Sequence, residues 1–430
     1  MNKLKLIICA TFGNCFEVYD FIIYQLLANH ISNHFFDRHL KNAFLLTQLI
    51  FILTAILSRP IGGLIFGYLA DLKGRKLSLE KSILMSGVCT GMIGLIPSYE
   101  TIGLFSTLFL ILLRFLQGVS LGGEQGTSIS FLLEHSSPKS RGFLSSFCCF
   151  GQQIGVLVAV AATSIYSLHI SKTGMSEQLW RILFVLSFGF GWFGYWVRKK
   201  TNETIDFLLD SYCSEEKTSL VNETKLFILN NKALFMSIFF IVSLGTFMSY
   251  TVFIIGNGYL KQQANSLAIF KYIQYIMSFS VILSIPIFGF YSDKIGRKTI
   301  ISHSILIISA LSIPFFQSLQ SVPSYTTLIV AVLLAISCGA YFSVTPTIIA
   351  ETLPTKSRCI NYAIFYTIPA AIISGITPFL SNWFIKTDPI YLSYVTIGLA
   401  ISSIISLRLL EEPLYIYGKL PKYSYEFLKP

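Results

Sequence analysis

The chain has 430 residues, of which 53% are hydrophobic and only 12% charged, and its mean hydropathy is +0.66. A soluble domain carries about 25% charged residues, so this composition excludes a water-facing globule and fits a surface that faces lipid. The net charge of +11 does not signal nucleic acid, because the cations sort to one side of a membrane as set out below, and eight cysteines with no CxxC pair give neither a disulfide framework nor a zinc site.

Met1 to Ala10 hold two lysines and then an apolar run, as a signal peptide does. No small-residue cleavage site follows, and the run continues past Glu17 and Asp20 as a full span, so the first helix is expected to stay in the membrane. Spans of about 20 apolar residues fall at roughly 8–32, 44–70, 81–98, 102–133, 143–168, 179–198, 233–257, 270–291, 299–317, 325–350, 359–385 and 390–408. Nearly every position in them is apolar, so length decides helix over strand. The expected fold is an all-α membrane protein of twelve transmembrane helices in two pseudo-symmetric six-helix bundles, residues 1–198 and 233–408. A polar linker at 199–232 joins them, and residues 409–430 form a cytoplasmic tail.

With the N-terminus inside, seven lysines and arginines fall outside (Arg38, Lys41, Lys172, Arg181, Lys261, Lys271 and Lys386) and two within spans (Arg59 and Arg114), which leaves 23 of the 32 inside. The opposite orientation inverts that bias, so both termini are expected in the cytoplasm. The linker contains Asn202-Glu203-Thr204 and Asn222-Glu223-Thr224, which match glycosylation sequons by chance on a cytoplasmic loop.

Two motifs recur. Gly67-Tyr-Leu-Ala-Asp71-Leu-Lys-Gly74-Arg75-Lys76 follows the second span, and Gly289-Phe-Tyr-Ser-Asp293-Lys-Ile-Gly296-Arg297-Lys298 follows the eighth. Glu134-His-Ser-Ser-Pro138-Lys-Ser-Arg141 follows the fourth span, and Glu351-Thr-Leu-Pro354-Thr-Lys-Ser-Arg358 the tenth. The same order at nearly the same offset makes one half a parallel repeat of the other, a known transporter plan. The glycines allow a tight turn, Asp71 suits backbone N–H groups or a helix N-terminus, and Arg75 and Lys76 fix the loop on the inner face.

These paired loops resemble the signature loops of the major facilitator superfamily. Gly13-Asn14 with Glu17-Val18-Tyr19-Asp20-Phe21, then Arg59-Pro60-Ile-Gly62-Gly63-Leu-Ile-Phe66-Gly67 and Gln117-Gly118 with Gly122-Gly123-Glu124, are similar to its metabolite–proton symporter branch. Leu95-Ile96-Pro97-Ser98-Tyr99-Glu100-Thr101-Ile102-Gly103 is similar to the proline/glycine-betaine type of that branch. Val18 stands where the branch usually has Trp, the tail after Arg408 is short, and Arg114 stands where the betaine type can carry Lys. The resemblance implies a secondary transporter of the cell inner membrane, not an enzyme, working by alternating access with a proton as coupling ion and no other cofactor. It also implies that the loops around Asp71, Gly74, Arg75, Lys76, Asp293, Gly296, Arg297 and Lys298, with Glu134, Arg141, Glu351 and Arg358, gate the cytoplasmic end. Proline, betaine, oxoglutarate, shikimate and citrate are all carried in the branch.

An ionised residue at the centre of a span costs about 2.5–3.5 kcal/mol, so Glu17, Asp20, Arg59, Arg114 and Glu124 call for a polar interior. Glu17, Asp20 and Tyr24 share one face of the first helix. Arg114, Gln117, Leu121 and Glu124 form a stripe on the fourth, beside a seam of Gly118, Gly122 and Gly126 suited to a closely packed neighbour. Arg114 suits a substrate carboxylate, and Glu17, Asp20 or Glu124 a coupled proton. The alternative for each is a static ion pair, and Arg59, beside Pro60, reads as structural. The offset equivalents of Glu17, Asp20 and Arg114 are Phe239, Val242 and Ala331, so the charge chemistry belongs to the first half. Tyr250, Tyr275, Tyr341, Phe342, Tyr362 and Tyr366 offer aromatic surface in the second, where a quaternary ammonium could rest.

Gly189-Phe-Gly191-Trp-Phe-Gly194 lies inside a span and lacks the context of a dinucleotide site, and no GxxxxGK[ST] occurs. His30, His34, Asp37 and His39 read as a hydrated interfacial cluster rather than a metal site. The function expected is proton-coupled symport of a small zwitterion or carboxylate, with a single arginine favouring a monocarboxylate zwitterion of proline/betaine type. Dicarboxylate or tricarboxylate symport, exchange or export, and a membrane sensor are the alternatives. Oligomerisation is not required.

Overall fold

The computed structural model describes residues 3–37, 42–173, 179–213, 220–256, 272–320 and 324–410, which are overwhelmingly helical and contain no strand. Arg38, Lys41, Lys261, Lys271 and the tail beyond residue 410 lie outside the described residues, as does the side chain of Lys172. The first half comprises α1 (Lys3–Leu26), the short α2 (Ala28–Phe35), α3 (Ala43–Lys73), α4 (Arg75–Ile93), α5 (Leu104–Glu134), α6 (Arg141–Thr173) and α7 (Trp180–Lys199). The linker folds into two short helices, α8 (Ile205–Cys213) and α9 (Leu220–Asn230). The second half comprises α10 (Lys232–Met248), α11 (Ile273–Ile295), α12 (Arg297–Gln317), α13 (Tyr325–Thr352), α14 (Arg358–Tyr362), α15 (Ile368–Thr387) and α16 (Ile390–Leu407).

Ten helical segments among the described residues are long and apolar enough to cross a membrane. Helices α4 and α7, with 19 and 20 residues, complete the expected twelve spans. Their charges (Arg75, Lys76, Glu80 and Lys81 on α4; Arg181, Arg198 and Lys199 on α7) dilute hydropathy without shortening the helix. Helix α10 runs into a π-helical segment at Ser249–Gly256, and a π-helical turn at Ala363–Thr367 joins α14 to α15. Such turns often sit at functional positions, and these carry Tyr250 and Tyr366.

The repeat is geometric as well as textual. Gly74 and Gly296 share one backbone conformation, φ 107° and ψ 148°, a positive φ that side-chain-bearing residues rarely adopt. Each closes its helix by donating its N–H to the carbonyl four residues back, Ala70 at 3.1 Å and Ser292 at 3.2 Å. The small-residue seam on α5 packs against α3: a Cβ on Gly118 would overlap Ser58, and one on Gly122 the carbonyl of Arg59. Gly126 lies instead against the Tyr362 ring of the other half. Backbone cannot yield as a side-chain tip does, so Gly122→Val is expected to cost more than the roughly 1–3 kcal/mol of ordinary overpacking. The yield of monodisperse, detergent-extracted protein should collapse, while Gly189→Ala, which meets nothing within 4 Å, should leave it unchanged.

Two apolar clusters hold the bundles. One gathers Phe16, Ile23, Leu110 and Phe184 in the first half, and the other is dominated by the second, with Ile238, Val281, Ile305, Leu334 and Val344. Val242 and Ala331, the counterparts of Asp20 and Arg114, are buried within this second cluster. Apolar packing occupies there the places that polar groups hold in the first half.

Candidate functional site

Asp20 on α1 is fully buried and accepts three hydroxyl hydrogen bonds. Thr90 (2.7 Å) and Ser86 (3.1 Å), one turn apart on α4, donate to Oδ2, and Ser187 on α7 donates to Oδ1 at 2.9 Å. Gln117 on α5 donates Nε2 to Thr90 Oγ1 at 2.7 Å and accepts at Oε1 from Arg114 Nη1. The Arg114 guanidinium lies 4.0 Å from the centre of the Tyr24 ring. Four of the expected site residues (Asp20, Tyr24, Arg114 and Gln117) thus form one chain that runs Asp20–Thr90–Gln117–Arg114–Tyr24. Burial strengthens each of these bonds and raises the cost of leaving any group unpaired.

Gln25, which follows Tyr24 on α1, lines a small cavity with Gln48 and Ile52 of the first half and Tyr250, Ser374 and Pro378 of the second. The aromatic wall expected of the second half is present in part. Tyr362 and Tyr366 stack at 4.9 Å, whereas Tyr341 donates to the Ile241 carbonyl within its own bundle and Tyr275 pairs with Ser164.

Arg59, read from sequence as structural, is close to the same chain. Its guanidinium sits 4.2 Å from the centre of the Phe21 ring, and Arg114 approaches that ring at 5.8 Å. Arg59 Nε has no hydrogen-bond partner among the described residues. Glu17 is 5% exposed, and its buried Oε2 likewise has no partner there.

Glu124 lies in a different arrangement. Arg198 of α7 clamps it with both terminal nitrogens, Nη1 donating to Oε2 at 2.8 Å and Nη2 to Oε1. Ser82 donates to Oε2 at 2.7 Å, and Arg198 also donates to the Leu79 carbonyl at 2.5 Å. This bidentate pair ties α5 to α7 and α4, the geometry of the structural alternative. Sequence reading counted Arg198 with the inner loop, beside Lys199 and Lys200. A signal existed in Gly13, where a Cβ would overlap the Arg198 guanidinium, but nothing linear connects the two.

At the loop end of the bundles, the two motif copies bind across the halves. Asp71 accepts the N–H groups of Cys359 (3.2 Å) and Ile360 (2.9 Å) at the start of α14, and Asp293 those of Gly142 (2.8 Å) and Phe143 (2.9 Å) at the start of α6. Each carboxylate thus meets a helix N-terminus of the other half, where the peptide dipoles favour negative charge. Arg75 pairs with Asp71 (3.5 Å) and Glu134 (3.2 Å), and Arg297 with Asp293 (3.0 Å) and Glu351 (2.7 Å). Arg358 donates to Glu134 at 2.9 Å, and Arg75 to the Thr355 carbonyl, also at 2.9 Å. Arg141 opens the helix that Asp293 caps.

Arg75 and Arg297 are among the most buried large side chains, 1% and 0% exposed. Each has to neutralise two carboxylates, which draws it inward. The linker joins this end. Glu203 accepts from the N–H groups of Arg75 (3.1 Å) and Lys76 (3.1 Å), and Lys356 pairs with Glu223 at 2.6 Å. Lys76 Nζ reaches the Lys199 carbonyl at 3.0 Å, and Lys298 stands beside Arg297 at the start of α12. Partial burial, with Glu134 nearby, raises the carboxyl pKa of Asp206 on α8. His34, of the histidine cluster, contacts Arg181, and no cluster of three metal-ligating residues occurs among the described residues.

The family model described as Sugar (and other) transporter matches residues 6–226, and that described as Major Facilitator Superfamily matches residues 235–420. The chain is 28% identical to a putative proline/betaine transporter of Staphylococcus aureus (strain COL), over 98% of this chain and 90% of the relative. It is 29% identical to the alpha-ketoglutarate permease of Escherichia coli K12, over 95% and 94%, and 26% identical to the citrate-proton symporter of Klebsiella pneumoniae, over 89% and 86%. Among solved structures, the proton:xylose symporter XylE bound to 6-bromo-6-deoxy-D-glucose superposes with a TM-score of 0.77 at 15% identity, covering 95% of this chain and 96% of that one. That likeness shows the fold.

Proposed function

This chain belongs to the major facilitator superfamily, and we propose that it is a proton-coupled symporter of a small carboxylate-bearing solute in the cell inner membrane, with both termini in the cytoplasm. It is a multi-pass transporter and not an enzyme. The observation that carries the proposal is the buried chain from Asp20 through Thr90 and Gln117 to Arg114, which ends on Tyr24, one residue before the Gln25 that lines a cavity shared by both halves. Arg114 supplies a planar fork of donors for a carboxylate. Asp20 is a group whose protonation is felt at Arg114 through three successive hydrogen bonds. The clusters around Asp71 and Asp293 hold the cytoplasmic end shut, and alternating access requires them to part. A zwitterion of proline/betaine type uses Arg114 alone.

The test is uptake into vesicles holding the purified protein, with radiolabelled proline, glycine betaine, oxoglutarate and citrate, an inward proton gradient and an uncoupler control. Accumulation of one solute, abolished by the uncoupler, is the expected result. Uptake that depends on solute trapped inside, indifferent to the uncoupler, replaces symport by exchange.

A second reading of the substrate, a dicarboxylate, is favoured by Arg59. Two guanidiniums on one Phe21 ring suit two carboxylates better than one. A hydrogen bond to a charged group contributes roughly 1.5–3 kcal/mol, about tenfold or more in affinity. Arg59→Gln is therefore expected to weaken competition by oxoglutarate at least tenfold relative to a monocarboxylate. Equal weakening of both returns the site to a single-carboxylate solute.

A further inference from the structure

The linker helix α9 does not simply span from bundle to bundle. Ile228 and Leu229 of α9 face Leu64 of α3, Ile360 of α14 and Ile364 of the π turn across an open, almost wholly apolar groove. Two polar residues stand in it, Thr224 and Lys225. Thr224 is 4% exposed, and its Oγ1 has no hydrogen-bond partner among the described residues. A buried hydroxyl left unpaired is costly and calls for an explanation. Lys225 is exposed beside it, while the neighbouring acid Glu223 is taken by Lys356.

We propose that this groove binds one anionic phospholipid, its phosphate held by Thr224 and Lys225 and an acyl chain lying between α9 and α3. Continuity with the lipid-facing surface singles out this occupant. Ile61, Ile65, Tyr68 and Leu72 of α3 are 42%, 53%, 39% and 47% exposed, and their spacing puts them on one helix face that runs past Leu64 into the groove. In a chain that crosses a membrane, that face lies against acyl chains. A small polar solute would find two polar atoms and otherwise hydrocarbon. A phospholipid matches both parts, and a basic side chain at the headgroup level favours an anionic one.

The walls give the site a consequence. They come from the first half (α3), the linker (α9) and the second half (α14), and the N–H of Ile360 is bonded to Asp71. The groove is complete only while α14 stands against α3. A lipid bound there therefore favours the conformation in which this end is shut, by its differential affinity for the two states.

The experiment is native mass spectrometry of the purified full chain offered phosphatidylglycerol or phosphatidylcholine, with peptide-level alkylation of Cys359, which is 1% exposed at the shut end. Wild type should retain one phosphatidylglycerol in preference to phosphatidylcholine. Retention should fall about fivefold in Lys225→Gln, the effect of one basic residue near an anionic surface. It should fall also in Thr224→Val and in Leu64→Trp, which fills the groove, and persist in Lys225→Arg. Phosphatidylglycerol should slow Cys359 alkylation several-fold in wild type and not in Lys225→Gln. Equal retention of both lipids, or retention indifferent to all three groove variants, overturns the site. Retention that leaves the alkylation rate unchanged overturns its link to the gate.

Discussion

Arg198→Met should unfold this protein under conditions where the native chain is stable, and Arg198→Met combined with Glu124→Leu should restore it. The buried pair is bidentate, and the carboxylate gains one further bond from Ser82. Removing the arginine leaves a carboxylate 3% exposed with one hydroxyl for company, a change that typically costs about 3–5 kcal/mol. Replacing both partners by apolar groups removes the charge together with its need for solvation, and such exchanges are often neutral or stabilising. Thermal unfolding of the detergent-solubilised protein reads the stability. Uptake by the double variant then separates the two roles open to Glu124. If the pair is only a tie between α5 and α7, the apolar double variant still accumulates solute. If Glu124 carries the coupled proton, that variant is folded but accumulates nothing.

How far this arrangement is legible in the sequence depends on what each residue's neighbours reveal. The two signature loops could be read because their information is local and repeated: Gly74 and Gly296 adopt the same positive φ, and Asp71 and Asp293 cap helices at matched places. The stripe on α5 could be read because helical periodicity places Arg114 and Gln117 on one face, and the glycine seam because a backbone contact needs glycine. The partners of Asp20 could not. Ser86, Thr90 and Ser187 are hydroxyl residues among many, and most others bond the carbonyl one turn back, as Thr127 does at 2.7 Å. Arg198 was hidden for another reason. A cation next to Lys199 and Lys200 at a helix end matches the inside-positive pattern, and its turn inward towards Glu124 depends on a contact 74 positions away. Arg59 was hidden by Pro60, which offered a local explanation for a residue whose guanidinium reaches Phe21 of another helix.

Asp20→Asn is expected to abolish accumulation against a gradient while leaving solute exchange intact. The asparagine side chain keeps an acceptor oxygen and adds two donors. Ser86, Thr90 and Ser187 have hydroxyls that donate or accept as required, so the knot around position 20 is retained and the chain to Arg114 with it. What the variant loses is the ability to bind and release a proton. A symporter without that step still shuttles loaded carriers across the membrane, which counterflow of radiolabelled solute detects, but no longer draws on the proton gradient. Glu17 offers the other candidate, one turn along α1 with an unpartnered buried oxygen among the described residues. The outcomes divide cleanly. Loss of accumulation in Asp20→Asn alone places the proton on the Thr90–Gln117–Arg114 chain. Loss only in Glu17→Gln moves it to the space between that chain and the Glu124–Arg198 pair. Full accumulation in the double variant removes both carboxylates from coupling and leaves the proton to be carried elsewhere in the first half, with Glu124 next in line.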